Sequence, residues 1–202
     1  MRAIALVAAV SAVLSGCVHT PPPPERDEWE RVHVRHYDGI SPRQVQEAAE
    51  KVLRLADKDF RFEYPQHGLL AVRSWMLYAV IAIGSGKDYW TVETQEAGGG
   101  TKVTVRITRE QSTTTASPVI GGPGYAPVIG SAPGEPLYQE APYALFWERL
   151  EYFLGKRSDW VTCDQFKDRI KGTPMWKARG QLDALCGIGT DDRTPEDGPR
   201  GQ

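Results

Sequence analysis

The chain has 202 residues, carries 24 Lys and Arg against 26 Asp and Glu for a net charge of −2, and is 41% hydrophobic. That length and hydrophobic content exclude global disorder and suit one domain with a true core. A balance this close to neutral, with no basic or acidic block, excludes nucleic acid as an expected partner.

The first predicted element is an export leader. Met1-Arg2 supplies a positive start, residues 3–14 are apolar but too few to cross a hydrocarbon layer of roughly 30 Å, and Leu14-Ser15-Gly16-Cys17 closes the segment. This layout resembles the lipobox of bacterial lipoproteins. The resemblance implies that residues 1–16 are cleaved, that Cys17 Sγ takes a diacylglyceryl group and that the freed amine takes a third acyl chain. At about 0.8 kcal/mol per buried CH₂ group, three long chains hold a protein on its membrane. Val18 follows Cys17, and in lipoproteins of the enteric type a residue other than Asp there implies export to the outer membrane, facing the periplasm. Residues 17–28 read as a tether, because Pro21 to Pro24 favour polyproline II at about 3.1 Å per residue and charged residues follow.

Residues 29–37 alternate Val32 and Val34 with Arg31, His33 and Arg35, the pattern of a half-exposed strand turned by Asp38-Gly39. Ser41-Pro42-Arg43-Gln44 carries the signals of a capping box, and Val45, Ala48, Ala49, Val52, Leu53 and Ala56 repeat at helical spacing behind it. Phe60, Phe62 and Tyr64 form a strand before the turn Pro65-Gln66-His67-Gly68. Residues 69–83, with an apolar run over 75–83, read as a strand that is covered on both faces or pairs with a partner, ended by Gly84-Ser85-Gly86. Residues 89–95 and 102–108 form a hairpin around Gly98-Gly99-Gly100.

Residues 112–142 are rich in Thr, Gly, Pro and Ala and contain the near repeat Ser117-Pro118-Val119-Ile120-Gly121 and Ala126-Pro127-Val128-Ile129-Gly130, so they read as a long loop or insertion. Residues 143–155 return to helix, with Leu145, Phe146, Leu150, Phe153 and Leu154 on a wide apolar stripe and Gly155 at its end. Short helices are expected around 164–171 and 175–185, and residues 189–202 read as a frayed, disordered tail.

With Cys17 committed to lipid, Cys163 and Cys186 remain as an even pair in an oxidising compartment, and a bridge between them is expected to contribute about 3 kcal/mol in the chain-entropy model. The sum of these elements over 29–188 is a single α+β domain. It is an antiparallel sheet of about five strands with two main helices on one face, plus a small disulfide-tied C-terminal helical cap. The element order resembles the helix-grip domains of some outer-membrane-assembly lipoproteins and of other proteobacterial envelope lipoproteins.

Catalytic constellations are not expected. As strand residues, His33 and His36 point to opposite faces, Asp38 has a sufficient role in its turn, and His67 sits in a solvated turn. Ser85 lacks the strand-to-helix setting of a reactive elbow serine, the three glycines at 98–100 lack a phosphate-loop lysine, and no spacing completes a metal site. Neither cofactor nor metal is therefore expected. The apolar residues Val119, Ile120, Tyr125, Val128 and Ile129 of the insertion cannot easily form their own core and are the expected partner contact. The function expected is that of a non-catalytic, membrane-anchored lipoprotein that binds another envelope protein. The alternatives are a small-molecule or lipid carrier with a helix-grip cavity, with Trp75, Tyr78, Tyr89 and Trp90 lining it, and a hydrolase using His33 or His67.

Overall fold

The computed structural model of the chain describes residues 24–79, 82–118, 125–187, 189–196 and 198. In chain order the elements are α1 (Arg26–His33), β1 (Val34–Asp38), α2 (Pro42–Ala56), β2 (Arg61–Glu63), β3 (Gly68–Ala79), β4 (Ala82–Ala97), β5 (Gly100–Pro118), β6 (Tyr125–Pro136), α3 (Glu140–Phe153), α4 (Cys163–Ile170), a 3₁₀ helix (Pro174–Leu182) and α5 (Asp183–Cys186). The architecture is α+β. A six-stranded sheet runs β1-β5-β4-β3-β2, with β6 also on β5, and every pairing is antiparallel.

The strand expected over 29–37 begins only at Val34. Before it, Asp27 and Glu28 sit in the first turn of α1 and Arg31 and His33 in its last, so both ends complement the helix dipole. Trp29 stacks on His33 one turn later at 4.8 Å between ring centroids. Those terms outweigh the Val32/Val34 alternation that imitates a strand. In α2 the capping box is present as expected, with Gln44 N donating to Ser41 Oγ and Ser41 N donating to Gln44 Oε1, and the six predicted apolar positions are all buried.

The core lies on one face of the sheet. Leu69 and Ala71 of β3, Trp90 and Val92 of β4 and Val103, Val105 and Ile107 of β5 are buried there against α2 and α3. The helix α3 is buried almost all round, through Tyr143, Leu145, Phe146, Trp147, Leu150 and Phe153, and it stops where Gly155 adopts a left-handed φ of 70°. Trp90 meets Phe146 at 5.2 Å between centroids, and Tyr143 Oη accepts from Ile107 N while donating to Leu137 O. Filling this face with aromatic and aliphatic groups supplies the main stabilisation, at about 25 cal/mol per Å² of apolar surface removed from water.

The C-terminal cap is closed by the disulfide Cys163–Cys186, with Cα atoms 5.7 Å apart. Its second segment is a 3₁₀ helix rather than α-helix over most of its length. Beside the bridge, Arg149 is fully buried and donates to Val161 O, Leu185 O and Asp192 Oδ1, while Asp192 Oδ2 accepts from Cys163 N at 2.7 Å. Burial holds the Arg149 guanidinium down at about 10, against the opposing pull of Asp192. Asp191 N also donates to Leu55 O and Thr190 Oγ1 to Ala56 O. The first residues of the expected tail are thus docked, because a buried arginine needs the carboxylate that Asp192 brings.

Two further expectations change. The run over 75–83 is not one covered strand: it is divided between β3 and the start of β4, and Gly84-Ser85-Gly86 lies inside β4. The described residues of 112–142 are mostly strand and helix rather than loop, since β5 continues to Pro118, β6 occupies Tyr125–Pro136 and α3 begins at Glu140.

Candidate functional site

Beyond the helix layer, β3, β4, β5 and β6 continue side by side as an arm of two hairpins. The boundary is a row of charge. Arg73 is registered with Asp88, Asp88 with Arg109 and Arg109 with Glu135, one residue on each of the four strands. Asp88 is fully buried and accepts from Arg73 Nη2 at 2.7 Å and from Arg109 Nε at 2.6 Å. Asp183 of α5 accepts from Arg109 Nη2 at 2.9 Å, and Asp57, just past α2, lies 3.4 Å from Arg73 Nη1. Burial opposes charge on Arg109, yet Asp88 and Asp183 hold its guanidinium above the ordinary value. With Arg73 Nη1 also donating to Asp183 O and Arg109 Nη1 to Gln181 Oε1, these carboxylate-paired arginines form a lock between sheet, α2 and cap rather than an open anion site.

Tipward of the row the chemistry changes. Residues 74–86 and 111–134 contain no Asp, Glu, Lys, Arg or His, in a chain that is 25% charged. Trp75 lies over Gly86, where an added Cβ would come within 2.6 Å of the indole and 2.2 Å of Glu110 O, so only glycine fits. The Arg109 guanidinium stands 5.8 Å from the Trp75 ring centroid, joining the last charge to the first aromatic residue. Past Trp75, Met76 is 59% exposed, Leu77 65%, Tyr78 72% and Ile83 44%. Strand residues alternate faces, so Met76 and Tyr78 lie on one face of the arm and Leu77 on the other. Both faces are therefore open.

The edge of β3 is bare as well. β2 covers it only through Leu70, Ala71 and Val72, and among the described residues no strand pairs with 73–79 on that side. From Ser74 onward this edge has none of the charges, prolines or bulges that usually blunt one.

Of the expected contact residues, Tyr125, Val128 and Ile129 lie on β6, registered with Pro118, Thr115 and Thr114 of β5, which puts them in the arm. Val119 and Ile120 lie outside the described residues, and so does Cys17. Sequence reasoning read the run over 75–83 as a strand either covered on both faces or paired with a partner, and did not single out Met76, Leu77, Tyr78 and Ile83 as exposed contact residues. The usable signal was the coincidence of two charge-free stretches.

The remaining candidates are dispersed. His33 is the last residue of α1, 2% exposed, with Nδ1 2.9 Å from Val105 O and its ring edge-on to Tyr143. Burial lowers its pKa. His36 sits on β1 and pairs with Asp38 at 3.0 Å on the exposed surface, a contact sequence reasoning missed although both even-numbered residues share a strand face. His67 is exposed in its turn. Among the described residues no three His, Cys, Asp or Glu side chains converge as a metal site, and no helix is long and apolar enough to cross a membrane.

The four aromatics expected around a cavity do not surround one. Trp90 is in the core, Trp75 covers the arm base, and Tyr78 and Tyr89 lie on the helix-free face. A groove of about 640 Å³ lies on that face too, under the 65–68 turn and along Thr91, Glu93, Gln95, Lys102 and Thr104. Compared with family models, curated proteins and solved structures, the chain matches none.

Proposed function

We propose that this is a non-catalytic lipoprotein of the bacterial envelope, held by lipid on Cys17 at the outer membrane facing the periplasm, that uses its arm to bind another envelope protein. The observation that carries the reading is the bare β3 edge past Val72, uncharged over 74–79. Such an edge offers unpaired N–H and C=O groups to an extended segment, and alternate side chains supply selectivity. The leader ending in Leu14-Ser15-Gly16-Cys17 supports the address. The interior supports binding by the arm over carriage in a helix-grip cavity, since Trp90, Phe146 and Leu150 fill the space between sheet and helices.

The address is tested by acyl labelling: Cys17→Ala abolishes it, and unchanged labelling refutes the anchor. The binding role is tested by a photo-crosslinking residue at Met76 in intact cells. One envelope protein is captured in stoichiometric yield, and Ser74→Lys, which puts a charge on the edge, abolishes capture. Equal capture with and without the lysine rejects the edge as the site.

A further inference from the structure

We propose that the Cys163–Cys186 bridge is a site of thiol–disulfide exchange, attacked at Cys186 Sγ by a thiolate of a dithiol protein, with Cys163 as the leaving group. This goes beyond the partner-binding reading, because it concerns the cap and rests on neither the arm nor the anchor.

The two ends of the bridge have unlike surroundings. Cys163 is 6% exposed and is the first residue of α4, behind the capping Thr162. Cys186 is the last residue of α5 and is only partly buried. An incoming thiolate therefore meets Cys186 first. Exchange is faster when the departing thiol has a low pKa, and the groups that stabilise charge on Cys163 Sγ are already in place. Arg149 Nη2 stands 3.3 Å from that sulfur, and Arg149 is fully buried, so water screens its charge little. A disulfide sulfur is a weak acceptor for this donor, whereas a thiolate makes the contact a charge-assisted hydrogen bond. The N-terminal end of α4 adds the positive end of its dipole at the same residue.

Asp192 is the opposing charge. Its carboxylate accepts from Arg149 Nη2 at 2.5 Å and from Cys163 N at 2.7 Å, and Asp164 follows Cys163 in the chain. Burial keeps Arg149 below its ordinary value even with Asp192 beside it, so one carboxylate does not satisfy the cation and a second anion is welcome there. Cys186 has no such support. Asp183 starts its own short helix, and Arg73, which approaches Gly187, is already held by Asp57, Asp88 and Asp183 O.

In the first step the partner sulfur bonds to Cys186 Sγ as the Cys163–Cys186 bond breaks, and the electron pair leaves on Cys163 Sγ. The partner's second thiolate then attacks its own sulfur in the mixed disulfide and releases Cys186 as a thiolate. The partner dithiol is oxidised to a disulfide, and the bridge takes up two electrons.

The test exposes the full chain to excess reduced glutathione, a monothiol that stops at the first step, followed at early times by acid quenching, alkylation and peptide mapping by mass spectrometry. Cys17 is read in a peptide of its own. The expected pattern is glutathione on Cys186 and the alkyl label on Cys163, in about tenfold excess over the reverse. Equal or reversed labelling overturns the proposal, and so does a bridge that glutathione leaves intact in the folded protein. In the fully reduced protein, one thiol should titrate below the ordinary value of about 8.5, read by thiolate ultraviolet absorbance. Two thiols at or above that value reject the role of Arg149. Arg149→Met should raise that titration and even out the labelling, while Arg149→Lys keeps the bias in part, each variant being checked for folding by circular dichroism. If Arg149→Met does not fold, the labelling and titration of the unaltered chain decide.

Discussion

The inner and outer halves of one sheet obey opposite rules. In the inner half, the face toward α2 and α3 holds Leu69, Trp90, Val105 and Ile107 at 1% exposure or less, and the other face carries charges that keep it in water. In the outer half the strands go on with the same register, but among the described residues no helix covers them, no charge interrupts them and large apolar side chains face outward on both sides. Backbone pairing is thus indifferent to what covers a sheet. The difference between a core and a contact surface lies in whether a third layer follows the strands, and here it stops at the row Arg73, Asp88, Arg109.

That contrast is open to attack by substitution, beginning where the effect is largest. Removing Asp88 as Asp88→Ala leaves Arg73 and Arg109 without their shared buried partner, and a loss of about 3–5 kcal/mol is expected in urea unfolding. A loss below 1 kcal/mol would show that the row is not a lock. Trp90→Ala, in the covered half, is expected to cost about 3–5 kcal/mol through the cavity it opens against Phe146. Breaking the Cys163–Cys186 bridge by Cys186→Ala should cost about 3 kcal/mol and expose the Arg149 site. Hydrogen exchange in the cap should rise while that of the arm stays the same.

A smaller effect comes from His33. Burial lowers its folded pKa below the ordinary 6.5, so as pH falls the unfolded chain takes up the proton first. Stability contributed by neutral His33 is present above about pH 6.5 and declines as pH falls from there toward the lower folded value. Denaturation midpoints from neutral to mildly acidic pH should fall, and His33→Gln should flatten that dependence. An equally steep curve in the variant would assign the acid sensitivity to other groups. At the bottom of the scale, Leu77→Ala in the open half should change stability by no more than about 0.5 kcal/mol. A core-sized loss there would mean that something in the domain covers it.

Much of the inner half was legible in the chain. Ser41 to Gln44 announced α2, the apolar spacing behind them named its buried face, Gly98-Gly99 marked the β4–β5 turn and the cysteine pair marked the cap. These signals are local, arising from a few neighbouring side chains and backbone groups. The errors share the opposite character. Residues 29–33 alternate like a strand but pack as a helix, and 112–136 look like a loop because Gly and Pro are poor strand formers in isolation. Pairing along β4 and β5 overrides that composition.

The sequence by itself determined the α+β class, the capped helix and the cysteine pairing, since each depends on residue type and short spacing. Only the tertiary structure decided that two charge-free stretches, far apart in the chain, extend together from one row of charges, and that Asp192 returns to a buried arginine. Strand register and the reach of the helix layer are properties of chain closure over long separations, which no local pattern encodes.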